Sequence, residues 1–378
     1  MIDRERLSVE FARLAAIASP SLGEGEIARY LAERFRGLGA EVEFDAAGDA
    51  AGGETGNLIA RFASAGRDGE ALLLSAHMDT VEPCDGVVPV LRDGVFTSAG
   101  DTVLGADDKA GIAELIEAIE VVREEGIPHG PLEVVVTIAE EIGLYGAKHL
   151  DCARLAARRG LALDTSGVDL LIHRAPCANK LRFEVLGREA HAGIAPERGL
   201  SAIEVAARAI AGMKLGRIDE ETTANIGTIE GGQATNIVAR RVLVEGEARS
   251  HDPQKLERQT RHMVERFEQA ARELAREIGG ERVTAEVRTE VVSDYPRMAV
   301  PADAPVVRLV ESAAARLGRS IEVRSAGGGS DANIFNGRGI ETVILGTGMT
   351  NVHSVEESVR VDDMVQVAEL LVEIIRLA

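Results

Sequence analysis

Up to about residue 176, short apolar runs rich in β-branched residues alternate with helical patterns, and this alternation restricts the chain to an α/β layer architecture. The strand-like runs are EVEFD, NLIARF, ALLLSAH, LEVVVTIA and LALD; KAGIAELIEAIEVV and YGAKHLDCARLA have helical spacing. ALLLSA and LEVVVTIA are apolar almost throughout, as strands covered on both faces must be. Between about 177 and 294 the pattern changes. KLRFEVLG and RVLVEGEARS alternate in polarity, so one face is packed and one is wet, while SAIEVAARAIAGM and PQKLERQTRHMVERFEQAARELAREI read as helices. After about 295, APVVRLVESAAARLG, IEVRS and ETVILGT return to the first style. The expected fold is a central, mostly parallel sheet flanked by helices, formed by residues 1–176 and 295–378. A smaller α+β domain is inserted at 177–294.

A chain of 378 residues with 45% hydrophobic content is long enough for two such domains, each with its own core. The net charge of -20 argues against a nucleic-acid or anionic-membrane partner, because both would repel an acidic surface. Cys84, Cys152 and Cys177 form no CxxC pair and leave an odd count, so neither a disulfide framework nor a cysteine zinc site is expected. The first segment, MIDRERLSVEFARLAAIASP, carries charges within its apolar spacing and reads as an amphipathic helix rather than a secretion signal. No apolar run is long enough to span a bilayer. The expectation is a soluble protein of the cytoplasm.

Ligands of an open α/β sheet bind beyond the carboxyl ends of its strands, so the polar residues just past each strand form one set of candidates. ALLLSAHMDT ends in His77 and Asp79, LEVVVTIAEE in Glu140 and Glu141, and LALDTSG in Asp164, while ETVILGTGMTNVHS leads to His353. GADDKAG places Asp107 and Asp108 at the opening of a helix. Alone, each such residue is ordinarily a cap or a solvated turn. Converging on one sheet edge, however, the carboxylates would repel and desolvate one another unless a cation sat among them. Imidazole and carboxylate without thiolate suits zinc, with manganese or cobalt as neighbours in ligand preference. Asp79, two residues from His77, is placed to bond the second imidazole nitrogen and fix its tautomer.

SAHMDTVEP, GADDKAG, AEEIGLYGAKHL, ALDTSG and NVHS, in that order, resemble the di-metal aminopeptidase, carboxypeptidase and aminoacylase family, most closely its peptidase T-like tripeptidase branch. GREAHAGIAPERG, GRID, NIGTIEGGQATNIVA and EGEARSHD are similar to that family's lid domain. The resemblance implies two divalent metal ions. His77, Asp107 and Asp164 would hold one, and Asp107, Glu141 and His353 the other, with Asp107 bridging. Glu140 would be the general base, and the Asp107–Asp108 peptide bond would be cis. His191 would stabilise the oxyanion, often across a homodimer formed through the inserted domain, and Arg249 and Asn236 would read the substrate.

The resemblance therefore implies hydrolysis of amide bonds in short peptides. AGIAPERGLSAIE, which follows His191, is closer to the deacylase style of lid, so N-acyl amino acids form an alternative substrate class. A non-catalytic binding protein of the same fold is a third reading, but it offers no physical reason to keep Glu140 beside Glu141. SAGGGSDANIF, residues 325–335, is a glycine-rich turn into a helix that lacks phosphate-loop spacing. It reads as a loop on the substrate side or as a simple turn.

Overall fold

The structure, a computed structural model, describes all 378 residues. It divides into two compact units, Met1–Ala175 with Met298–Ala378, and Pro176–Arg297. In the first unit nine strands form one sheet, ordered Glu41–Phe44, Leu58–Phe62, Leu132–Thr137, Leu72–His77, Arg159–Thr165, Glu341–Gly346, Leu170–Ala175 and Met298–Ala299, with Glu322–Ser325 pairing alongside Leu170–Ala175. The four strands from Leu132–Thr137 to Glu341–Gly346 run parallel. On one flank Leu58–Phe62 and Glu41–Phe44 are antiparallel, and on the other Leu170–Ala175 pairs antiparallel with both of its path neighbours. The sheet is thus mixed, parallel at its centre and antiparallel towards its edges.

The parallel centre follows from the connections. Leu72–His77 and Leu132–Thr137 are joined through the helix Ala106–Glu124, the crossover that parallel neighbours require. Every residue of both strands is buried. Alternate side chains enter different cores: Leu72, Leu74, Val134 and Val136 join the large cluster, whereas Leu73 and Val135 join a smaller one on the other face with Phe335 and Ile340. The helices Arg4–Ala15, Gly25–Gly37, Ala106–Glu124, Pro305–Arg316 and Val361–Leu377 all contribute to the large cluster. The first is amphipathic as its spacing predicts, with Leu7, Phe11 and Leu14 buried and Asp3 capping the amides of Glu5 and Arg6 at 3.0 Å. YGAKHLDCARLA does not form one helix. It splits into Tyr145–His149 and a short 3-10 turn at Cys152–Arg154, because Leu150 is extended and the Asp151 side chain accepts from the Ala153 amide.

A second, four-stranded sheet pairs Met349–Thr350, Ser358–Arg360, Val95–Ser98 and Pro89–Arg92 in that order. Its first two strands form a hairpin, so residues 351–357 project as the hairpin loop.

In the inserted unit, a five-stranded antiparallel sheet runs Gly216–Arg217, Thr222–Gly231, Arg241–Ser250, Cys177–Leu186 and Glu286–Tyr295. Cys177–Leu186 alternates in burial as its sequence does, and Leu181, Phe183 and Val185 share a core with the helices Ala202–Ala211 and Pro253–Glu273. The Phe183 and Phe267 rings stack there at 4.0 Å.

Candidate metal centre

Three adjacent parallel strands deliver the site at their carboxyl ends. Leu72–His77 finishes on His77, Arg159–Thr165 carries Asp164 on its last turn of pleat, and Leu132–Thr137 runs through Ile138 and Ala139 into Glu140 and Glu141. Asp107 and Asp108 have non-helical backbone angles within the opening turn of Ala106–Glu124, and the peptide bond between them is cis. His353 comes from the 351–357 hairpin loop. Ala139 and His353 both hold left-handed backbone, at φ 49° and 60°, a conformation costing an ordinary residue roughly 1–2 kcal/mol. Tertiary contacts must therefore enforce both.

The two oxygens of Asp107 face different histidines. Oδ1 lies 3.1 Å from His77 Nε2, and Oδ2 lies 3.3 Å from His353 Nε2. On the His77 side, Asp164 Oδ1 approaches the same Nε2 at 3.9 Å; on the His353 side, Glu141 Oε1 approaches at 3.1 Å. The ligand set sorts into two halves joined by one carboxylate. His77 Nδ1 is 2.9 Å from the backbone oxygen of Asp79 and 3.5 Å from its Oδ1. The Asp79 carboxylate itself accepts the Glu140 amide at 3.0 Å, the Glu141 amide at 3.2 Å and the Ser21 hydroxyl at 2.6 Å. Asp79 thus orients His77 partly through its main chain, while its side chain holds the turn that bears the two glutamates.

The electrostatics fit a divalent cation. Burial pushes the Glu140 carboxyl well above its ordinary range, and the neighbouring Asp164 adds to this. Burial, reinforced by Asp107, lifts Asp164 to about 8. Burial also raises Asp107, but hydrogen bonds to His353 and His77 outweigh it and hold this carboxyl below the usual range. The Asp107 and Glu141 carboxylates lift His353 to about 10. Such a cluster stores repulsion that a cation would relieve, opposing the upward shifts of Glu140 and Asp164. Size agrees as well. Donor atoms of His77, Asp107 and Glu141, drawn from both halves of the cluster, lie within 4.8 Å of one another, compact enough to hold metal.

The family model for peptidase family M20/M25/M40 matches residues 73–377, a span that includes the whole cluster. The chain belongs to this family. A Bacillus subtilis (strain 168) protein named YqjE, itself uncharacterised, is 44% identical over 99% of both chains. Among solved structures, the aminopeptidase PepT of Bacillus cereus ATCC 10987 superposes with a TM-score of 0.89 at 43% identity, covering 100% of this chain and 99% of that one. A tripeptidase of Staphylococcus aureus subsp. aureus Mu50 gives 0.92 at 40% identity, covering 100% and 98%. As a member of the M20/M25/M40 family the chain is a peptidase, with a mixed α/β fold and a site suited to metal.

This M20-family centre is braced by residues that strand-end reasoning did not find. Glu357 accepts the amides of Gly105 at 2.7 Å and Asp107 at 2.9 Å, fixing the loop that presents Asp107. Lys109 is buried, donates from Nζ to the Ile17 carbonyl at 2.6 Å, and is lowered by burial to about 8. Asp331, the first residue of the helix Asp331–Gly337, accepts the Thr137 hydroxyl at 2.5 Å. SAGGGSDANIF therefore leads into a helix capped by Ser330, whose first carboxylate bonds the end of the strand Leu132–Thr137. Each sits in a polar or glycine-rich stretch, HSVEESVR, GADDKAG and GGGSDANIF, so its sequence surroundings gave it no distinct signal.

The remaining expected residues lie in the inserted unit. His191 is exposed and its Nδ1 accepts the Gly193 amide at 3.2 Å. Asn236 is close to it, since the Asn236 carbonyl accepts the Ala192 amide at 2.9 Å. Arg249 is half-buried and forks onto Glu247, with Nη2 and Nε each 2.9 Å from a carboxylate oxygen.

Proposed function

We propose that this peptidase is a tripeptidase-like aminopeptidase that removes residues from short peptides in the cytoplasm, using two divalent ions, zinc or else manganese or cobalt. The observation that carries this reading is the Asp107 carboxylate, whose two oxygens face His77 and His353 separately. His77, Asp107 and Asp164 would hold one ion, and Asp107, Glu141 and His353 the other. When bound, such ions make an attacking water acidic and polarise the scissile carbonyl.

The chain's own groups do the rest. The Glu140 carboxylate takes a proton from the attacking water and passes it to the leaving amine nitrogen, a general base becoming a general acid. Its burial favours accepting that proton. Asp79 holds His77 in one tautomer through Nδ1. The His191 imidazole donates to the developing oxyanion, from the partner subunit of a homodimer formed through the inserted unit, which acts as its lid. Arg249, released from Glu247, pairs with the substrate's terminal carboxylate through its planar fork, and Asn236 bonds the peptide backbone. The relatives support the peptide class: one is named an aminopeptidase and another a tripeptidase.

The test is steady-state hydrolysis of tripeptides, dipeptides and N-acetyl amino acids by metal-reconstituted wild type and Glu140→Ala. Peptide cleavage that vanishes in the variant while metal content holds would bear the reading out. Turnover of N-acyl substrates alone would move the protein to the deacylases, and no turnover by a fully metallated protein would favour a binding role.

A further inference from the structure

The turn that bears Glu140 and Glu141 is specified almost entirely by side chains from elsewhere. Four successive amides leave the strand ladder at residue 138, and each meets a side-chain oxygen. The Ile138 amide donates to Asn57 Oδ1 at 3.1 Å and the Ala139 amide to Glu24 Oε1 at 2.9 Å. The Glu140 and Glu141 amides donate to the two oxygens of Asp79. The carbonyls are held locally: Ile138 O accepts from Gly146, Ala139 O from Tyr145, and Glu140 O from Gly143 and Leu144, at 2.7–3.0 Å. Buried backbone groups need partners, so these contacts together leave one conformation for residues 138–141. That conformation includes the left-handed Ala139 immediately before Glu140.

We propose that Glu24 and Asn57 are positioning residues for the reaction, setting where the Glu140 carboxylate stands relative to the metal ligands; this rests on the reading of Glu140 as the base. Both side chains are fully buried, and neither is accounted for by the metal centre itself. Glu24 opens the helix Gly25–Gly37 without capping it; one oxygen instead serves the Leu22 and Ala139 amides, and the other has no hydrogen-bond partner. A carboxylate so placed does little for its own helix. Asn57 is oriented by Asp45, which accepts Nδ2 at 2.7 Å, and Nδ2 also reaches the Gly146 carbonyl at 2.8 Å. Asn57 therefore clamps the turn at both ends. There is no room for an alternative at residue 146, where a Cβ would stand 2.3 Å from Asn57 Oδ1 and 2.4 Å from the Ile138 carbonyl.

The experiment compares metal-loaded wild type, Glu24→Ala, Glu24→Gln, Asn57→Ser and Glu140→Ala, measuring kcat and KM on a tripeptide, bound metal, and crystal structures of wild type and the Glu24 variants. Glutamine keeps an oxygen for the Ala139 amide; alanine does not. The expected result for Glu24→Ala is a fall in kcat of about 10- to 100-fold with KM and metal content nearly unchanged, the scale of a misplacement near 1 Å. Glu24→Gln should recover most of it, and the Glu140 carboxylate should be displaced in the alanine structure alone. Unchanged kcat in Glu24→Ala, loss of kcat in step with loss of metal, or glutamine no better than alanine would overturn the proposal. If Glu24→Ala does not fold, Asn57→Ser and Glu24→Gln carry the same comparison. Wild type that is inactive on peptides would sink the functional reading instead, and the crystal structures would still judge the position of Glu140.

Discussion

At the scale of single residues, Asp107 and Glu140 make opposite demands on substitution. Asp107→Asn should lose bound metal and turnover together, because it removes charge from the carboxylate that faces both histidines. Glu140→Gln should keep metal yet lose on the order of 10²–10⁴ in rate, the usual weight of a positioned acid–base group; metal analysis beside kinetics separates the two. The titrations of the metal-free chain add a third expectation. Asp164 and Asp331 rise from 3.8 to about 8 and about 6, and Glu24 rises from 4.5 to about 7, so the folded chain holds protons that the unfolded chain releases. Stability from these groups is fully present below about pH 4 and is lost as pH climbs through 6–8. His353, raised from 6.5 to about 10, acts in the same sense: its contribution is complete below 6.5 and lost as pH approaches 10. Asp107 opposes them only in strong acid, because its depressed carboxyl contributes above 3.8 and is lost as pH falls further. Metal-free protein should therefore melt higher at pH 5.5 than at pH 8, and saturating metal should remove or invert that difference.

Among the elements, the close approaches at glycine are the exposed points. Gly146→Ala would drive a Cβ into the Ile138 backbone and the Asn57 oxygen, so a loss of about 1–3 kcal/mol is expected in chemical denaturation, together with lower kcat. Gly111→Ala meets a somewhat milder clash, with its Cβ 2.9 Å from the Leu163 carbonyl oxygen and 2.5 Å from the Asp108 carboxylate. Elements were also the scale at which the sequence was most readable. Nearly continuous apolar runs announced the buried strands Leu72–His77 and Leu132–Thr137, and the polar residues at their carboxyl ends are His77, Glu140 and Glu141. Strand order was not readable. Nothing in ETVILGT says that Glu341–Gly346 inserts between Arg159–Thr165 and Leu170–Ala175, or that the sheet turns antiparallel at its flanks. Glu24, Asn57 and Glu357 were equally hidden, because each acts on backbone amides far away in sequence, and a pattern of side chains carries no record of such bonds.

For the whole molecule, metal and fold should be linked. An ion held by residues from distant segments binds the folded chain and not the unfolded one, so stripping it removes stabilisation of roughly 4 kcal/mol at a free metal concentration 1,000 times Kd. Chelation should lower the melting temperature, and restoring metal should recover it along with activity. No helix is long and apolar enough to cross a membrane.

The late strand Glu341–Gly346 has a consequence for the order in which the molecule is made. It fills the gap beside Arg159–Thr165, and the loop that follows it brings His353. A chain emerging from the ribosome carries His77, Asp107, Glu140, Glu141 and Asp164 early, but it lacks both the strand that completes the sheet and His353 until residues 341–353 have been made. The candidate metal centre is therefore assembled only after these late residues have joined the sheet.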